Sequence, residues 1–243
     1  MREEVRGGKN IYGEAIGIIT VKTKFPRIPG DIGNANTWSF PVIYRILEET
    51  TPAMVVGSTK PELLKSLIEA AWGLEKLGVK AITTTCGFLA LFQKEISNSV
   101  NIPVFTSSLM QVPLVYRMLR SEQKIGIITI DSYLLTKEHL ANVGADSVPV
   151  IIAGTENGEE FNRTILGNEV TLNIKKAEND LVTVAEKLVT QHPDIGAIVL
   201  ECTNMPPYAK SIQQAVNLPV FDIYTLTNMV YGAVVRKDFF SNY

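Results

Sequence analysis

A chain of 243 residues, 46% of them hydrophobic, can bury a sizeable core in one large domain or two compact lobes. Its 23 basic and 25 acidic side chains leave a formal charge of −2, with no basic excess for nucleic acid or an anionic membrane surface, and no apolar run approaches the roughly 20 residues needed to span a bilayer. The charged start MREEVRGGKN lacks the apolar stretch of a secretory signal, so the chain is expected in the cytoplasm, where its two cysteines are thiols rather than a disulfide.

In chain order, AIGIITV at residues 15–21 reads as a buried strand. Residues 22–41, KTKFPRIPGDIGNANTWSFP, form the least regular stretch, and a long loop at the end of a parallel strand is a common seat of function. AMVVGS at residues 53–58 is expected to be the second strand. The following helix has Leu63, Leu64, Leu67, Ile68, Ala71, Leu74 and Leu77 at helical spacing, Ser58 or Thr59 as cap and Gly78 as its end. VKAITTT is the third strand and leads into Cys86, then a helix runs to Val100. A fourth strand, IPVF, ends at Phe105, and a helical stretch spans about residues 109–119. Short apolar runs alternating with amphipathic helices give an α/β chain whose mostly parallel sheets are covered on both faces.

The second half repeats the first. IGIITI at residues 125–130 matches IGIITV at 16–21 in five of six positions, and VNLPVF at 216–221 matches VNIPVF at 100–105 in five of six. The second pair is offset by 116 residues, as are the cysteines, since 202 − 86 = 116. The pattern predicts two pseudosymmetric lobes, each a four-stranded sheet flanked by helices, with a cleft between them. Lobe 1 is expected to hold residues 1–108 and 225–243, lobe 2 residues 109–224.

Ligands bind beyond the carboxyl ends of parallel strands, where both cysteines fall, each ahead of a helix. With the lobes face to face, Cys86 and Cys202 would stand on opposite sides of a small ligand. Proton transfer at the α-carbon of a carboxylate needs two such groups, with polar donors to hold the carboxylate. Thr85, Thr203, Asn204, Ser58, Thr59 and Asn36 are the candidates nearest the strand ends. Pro206 and Pro207 suit a first helical turn, with Thr203 or Asn204 as cap. A cysteine at a strand end is also a common small apolar core residue, a reading weakened here by the matched positions.

With TTTCGF and LECTNMPPYA as its motifs, and with its two-lobe duplication, the sequence resembles the aspartate/glutamate/hydantoin racemase superfamily over nearly its whole length. The resemblance implies cofactor-independent transfer of a proton next to a carboxylate, with Cys86 and Cys202 as the two bases and Thr85, Gly87, Thr203 and Asn204 as carboxylate-binding neighbours. It also implies a helix that crosses from each lobe to the other, and a homodimer. The expected activity is racemisation of an amino acid or a derivative such as a hydantoin. The maleate isomerase and arylmalonate decarboxylase branches are alternatives in the same cleft, and a non-catalytic ligand-binding protein is a third. Gly87-Phe88 after the first cysteine and Asn204-Met205 near the second depart from the amino-acid racemases of the family.

Other candidates are weaker. His192 precedes its strand, and His139 is expected on a solvated helix face, so neither a Cys-His pair nor a metal site is expected. No dinucleotide or P-loop fingerprint is present. Lys22, Lys24 and Arg27 are expected to be solvated, although Lys22 and Asp131 could read the two ends of an amino acid. Glu201 is expected to be structural.

Overall fold

The computed structural model describes residues 4, 7–56 and 61–239. Lobe 1 is built from β1 (Ile16–Val21), β2 (Val42–Leu47), α1 (Pro52–Val56), α2 (Pro61–Leu77), β3 (Ala81–Thr84), α3 (Gln93–Ser99) and β4 (Val104–Phe105). After α4 (Val112–Tyr116), lobe 2 follows as β5 (Lys124–Thr129), α5 (Lys137–Asn142), β6 (Val150–Gly154), α6 (Phe161–Leu166), α7 (Ile174–Gln191), β7 (Ile195–Leu200), α8 (Ala209–Val216) and β8 (Val220–Phe221). Helix α9 (Ile223–Val234) follows the last strand.

The two sheets have the same topology, β2-β1-β3-β4 and β6-β5-β7-β8, with every pairing parallel. The central strands are apolar and rich in Ile and Val because helices cover both of their faces. All six residues of β7 are buried, as are Ile125, Ile127 and Ile128 of β5. The duplicated sequence segments are therefore duplicated strands. Cys86 lies two residues beyond β3, and Cys202 two beyond β7.

One strand differs from expectation. The second strand of lobe 1 is Val42–Leu47, and Pro52–Val56 is helical. Proline at the first helical position fixes φ and forfeits no hydrogen bond, so Pro52 starts α1. The true strand, VIYRIL, is half-exposed at the sheet edge and lacks the continuous apolar run of its neighbours.

Helix α2 buries Leu63, Leu67, Ala70, Ala71 and Leu74 on one stripe, while Leu77 turns to solvent. Leu67 and Leu74 are fully buried, each worth about 1.5–3 kcal/mol in area removed from water. Gly78, with φ +86°, closes the helix in the left-handed conformation that glycine adopts without strain.

Helix α9 leaves lobe 2 and packs on lobe 1. Its Ile223 and Leu226 share a cluster with Ile16, Ile18, Phe105 and the loop residues Trp38 and Phe40. Phe40 stacks on Tyr231 at 3.7 Å between ring centroids, and Trp38 on Tyr224 at 5.7 Å. The long loop after β1 is thereby anchored at its far end, while its near end faces the junction of the lobes. Among the described residues no helix is long and apolar enough to cross a membrane.

Candidate active site between the lobes

The ends of β3 and β7 meet through direct bonds. Thr85 receives the Val21 N–H on its hydroxyl at 3.1 Å, and its own carbonyl accepts the Thr203 hydroxyl at 2.7 Å. The Ser108 hydroxyl donates to the carbonyl of Leu200 at 2.6 Å. Beside this seam, Cys86 and Cys202 line one cavity, with Thr85, Gly87, Phe88, Thr203 and Asn204. Val21, Thr23, Phe25, Arg27 and Pro52 of lobe 1 and Ile130, Ile165 and Leu166 of lobe 2 complete the wall. The cavity measures about 30 Å³, room for about two water molecules. A larger groove of about 590 Å³ beside β6 and α7 contains neither cysteine.

The structure thus brings Cys86, Cys202, Thr85, Gly87, Thr203 and Asn204 together. Asn36 is not among the lining residues: it is exposed, in a 3-10 turn (Ala35–Thr37), and its N–H donates to Asn34 Oδ1 at 2.8 Å. Ser58 and Thr59 lie outside the described residues. The Thr203 hydroxyl is spent on the seam, while the Thr85 hydroxyl accepts the Val21 N–H within lobe 1. Met205, rather than Thr203 or Asn204, caps the turn at Pro206–Tyr208.

The loop after β1 contributes more than expected. Arg27 is not solvated: only 12% of its side chain is exposed, its guanidinium lies 4.8 Å over the Phe25 ring, and Nη1 pairs with Asp31 Oδ1 at 2.7 Å. Asp31 is buried and accepts Asn204 Nδ2 on its other oxygen at 2.6 Å, a bond from one lobe to the other. The Asn204 carbonyl oxygen then faces Cys202 Sγ at 3.4 Å. The signal for these residues was the loop length and its PGDIGN turn, but nothing in sequence placed Asp31 against a residue 173 positions away. Lys22 instead pairs with Glu48 at 3.0 Å on the surface, and Asp131 caps the backbone of Tyr133 and Leu134, so these two do not form the paired reader considered above.

Neither thiol ionises easily with the site in this form. Burial is the main cause of the rise in Cys86, to about 12, and the Glu201 carboxylate adds to it. The Phe88 and Leu89 N–H groups and Arg27 act in the opposite direction. Cys202 is raised well above its ordinary value, by burial first and then by Glu201, against an opposing N–H from Asn204. Glu201 is itself fully buried. Thr129 donates to Oε2 at 2.8 Å, while Oε1 has no hydrogen-bond partner among the described residues, and burial lifts the carboxyl to about 7. It stands at the lobe junction, against Gly87.

His139 is also buried, contrary to expectation. It completes a capping box with Thr136 on α5 and meets Phe88 edge-on at 5.1 Å, so it shapes the cavity wall from behind. His192 caps the end of α7 ahead of β7, away from the cavity.

This geometry can be set beside known proteins. Residues 109–227 match the family model described as Asp/Glu/Hydantoin racemase. A dimethylsulfoniopropionate lyase of Durusdinium sp. clade D is 30% identical over 238 residues, covering 95% of this chain and 75% of that protein. The chain belongs to the Asp/Glu/hydantoin racemase superfamily. Dimethylsulfoniopropionate lyase 3 of Emiliania huxleyi is 29% identical over 238 residues, 93% of this chain, which spans 61% of that protein's length. Among solved structures, a glycine-to-cysteine mutant of arylmalonate decarboxylase has a TM-score of 0.61 at 16% identity, covering 92% of this chain and 94% of that one. Glutamate racemase from Francisella tularensis has a TM-score of 0.56 at 20% identity, covering 91% and 81%. These structures share the superfamily's two-lobed fold. The named relatives in sequence are lyases, so superfamily membership alone does not make this chain an isomerase.

Proposed function

We propose that this protein is a lyase that eliminates a sulfide from a small sulfonium-bearing carboxylate of the dimethylsulfoniopropionate class. The observation that carries the reading is the pair of matched cysteines on one small cavity, in a chain whose named relatives are lyases for that compound. A racemase and such a lyase share their first step, removal of a proton from the carbon next to a carboxylate. They differ in what the neighbouring carbon carries.

Cys86 is the base. The Phe88 and Leu89 N–H groups and Arg27 favour its thiolate, against the Asn204 N–H alone for Cys202, and it keeps some accessible surface in the cavity. Its thiolate takes the α-proton. The C–H pair becomes the second bond between the α- and β-carbons, and the β-carbon–sulfur bond breaks with its electrons on sulfur. A neutral dialkyl sulfide and an unsaturated carboxylate leave, and the Cys86 thiol returns its proton to solvent. For dimethylsulfoniopropionate the products are dimethyl sulfide and acrylate. Arg27 and the N–H groups following the two cysteines hold the carboxylate as negative charge spreads onto it. Cys202 stays neutral, because a second anionic sulfur would repel that charge.

Charge supports a cationic substrate. Glu201 and Asp31 raise the cost of a thiolate here, and Arg27 only partly offsets them. A sulfonium entering the cavity supplies the missing positive charge and lowers the cost of ionising Cys86 when substrate is present. Phe25 and Phe88 place aromatic rings in the cavity wall.

The test is incubation with dimethylsulfoniopropionate in heavy water, followed by NMR, beside a panel of chiral amino acids and hydantoins. The lyase reading expects acrylate vinyl signals and volatile dimethyl sulfide. Deuterium entering the α-carbon of both enantiomers of an amino acid, with no acrylate, would instead establish the racemase. That second reading retains support from the duplicated cysteines.

A further inference from the structure

The two lobes repeat each other except beside the sulfurs. At the 116-residue offset, Asn204 corresponds to Phe88, so Cys86 has an apolar ring two residues on where Cys202 has an amide. An amide can present either end to a neighbour. Here the choice is imposed from the other lobe. The Asp31 carboxylate offers only acceptors, so it takes Asn204 Nδ2 at 2.6 Å and leaves Oδ1 for Cys202 Sγ at 3.4 Å. Asp31 is held by Arg27 Nη1 and the Gly33 N–H, both at 2.7 Å to Oδ1. A carbonyl oxygen accepts from S–H and repels a thiolate.

We propose that Asp31 is a positioning residue that, through the orientation of Asn204, holds Cys202 as the protonated thiol and leaves Cys86 as the sole base. The loop after β1 in lobe 1 thereby makes two duplicated cysteines inequivalent. A racemase needs its two sulfurs to exchange roles, whereas an elimination needs one base. The catalytic consequence rests on the lyase reading, but thiol state can be measured without turnover. The other charged or titratable groups acting on the two sulfurs are Glu201, at the end of β7, and Arg27, which remain in every variant below, and the Cys86 thiol, which is absent alike from every Cys202 protein; the direct charge of Asp31 on Cys202 is the part that survives in the Asn204→Ala background.

The test uses single-thiol proteins: Cys86→Ser leaves Cys202, and Cys202→Ser leaves Cys86. The rate of modification by methyl methanethiosulfonate at pH 8, read by intact mass, follows the thiolate fraction. Asp31→Asn is expected to accelerate modification of Cys202 at least tenfold, because the freed amide can turn its NH2 toward the sulfur. With Asn204→Ala present, the same change should give less than threefold. Cys86 should change less than threefold in either background, which separates the relay from a general loosening of the seam. Equal acceleration with and without Asn204, or of both thiols alike, would overturn the proposal. If Asp31→Asn does not fold, Asn204→Ala alone decides, since Asp31 and Arg27 stay paired: it should speed Cys202 at least threefold over the unaltered single-thiol protein and leave Cys86 unaffected. Failure to do so overturns the proposal.

Discussion

The carboxyl group of Glu201 rests against the α-carbon of Gly87, so the turn after β3 and the end of β7 meet with no side chain between them. A Cβ on Gly87 would run into both Glu201 Oε1 and the Glu201 carbonyl oxygen. Gly87→Ala therefore has to part the lobes at the site itself. Overpacking of this kind costs about 1–3 kcal/mol. Urea denaturation should show a lower midpoint, and activity should fall further than stability does. A midpoint equal to that of the unaltered protein would show that the seam yields freely.

Glu201 makes stability depend on pH in a defined direction. Its carboxyl ionises at about 7 in the folded protein, against an ordinary 4.5, because burial disfavours the anion. The folded state therefore holds this proton more tightly than the unfolded chain. Below about pH 4.5 the group is protonated in both states and costs nothing. As pH rises from there to about 7, folding loses stability, reaching roughly 3 kcal/mol, and the loss stays constant above. Glu201→Gln should gain up to that amount at pH 8 and nothing at pH 4.5. Denaturation curves at the two pH values check this, and an equal gain at both would remove ionisation as the cause.

The two cysteines should respond unequally to serine. On the lyase reading, Cys86→Ser removes the proposed base and should lower kcat for elimination by at least about a hundredfold. Cys202→Ser keeps a neutral hydroxyl where a neutral thiol stood and should lose less. Equal collapse of both variants would favour a two-base exchange.

Arg27 serves both the loop and the cavity. Arg27→Met leaves the Asp31 carboxylate buried without its cation, at a cost of about 3–5 kcal/mol. Arg27→Lys keeps the charge but loses the planar contact with Phe25 and should raise KM more than it lowers kcat. Steady-state kinetics on the lysine variant separate the two effects.

The strands on which the cysteines sit were legible because buried parallel strands are short, apolar and repeated. The same rule misplaced the second strand: residues 53–56 are apolar but follow a proline that starts a helix, while Val42–Leu47 is an edge strand with mixed polarity. Cys86, Cys202 and their immediate neighbours could be found from motif and register. Arg27 and Asp31 could not, because their importance comes from the bond of Asp31 to Asn204 across the lobes, with Arg27 paired to Asp31, and local pattern carries no information about distant pairing. His139 misled for a similar reason: its helix looks solvated until Phe88 of the other lobe is laid against it.

The cavity of about 30 Å³ is far smaller than any carboxylate the site would process. Entry must therefore disturb the bonds that close the seam, among them Thr203 to Thr85, Asn204 to Asp31 and the Lys24 N–H to Asn168 at 2.6 Å. Capture of substrate is then expected to be timed by the rate at which the halves part rather than by diffusion. In rapid mixing, the observed binding rate should level off as ligand concentration rises, and slow, long-lived inhibition should be the signature of any compound that fits once the halves have closed over it.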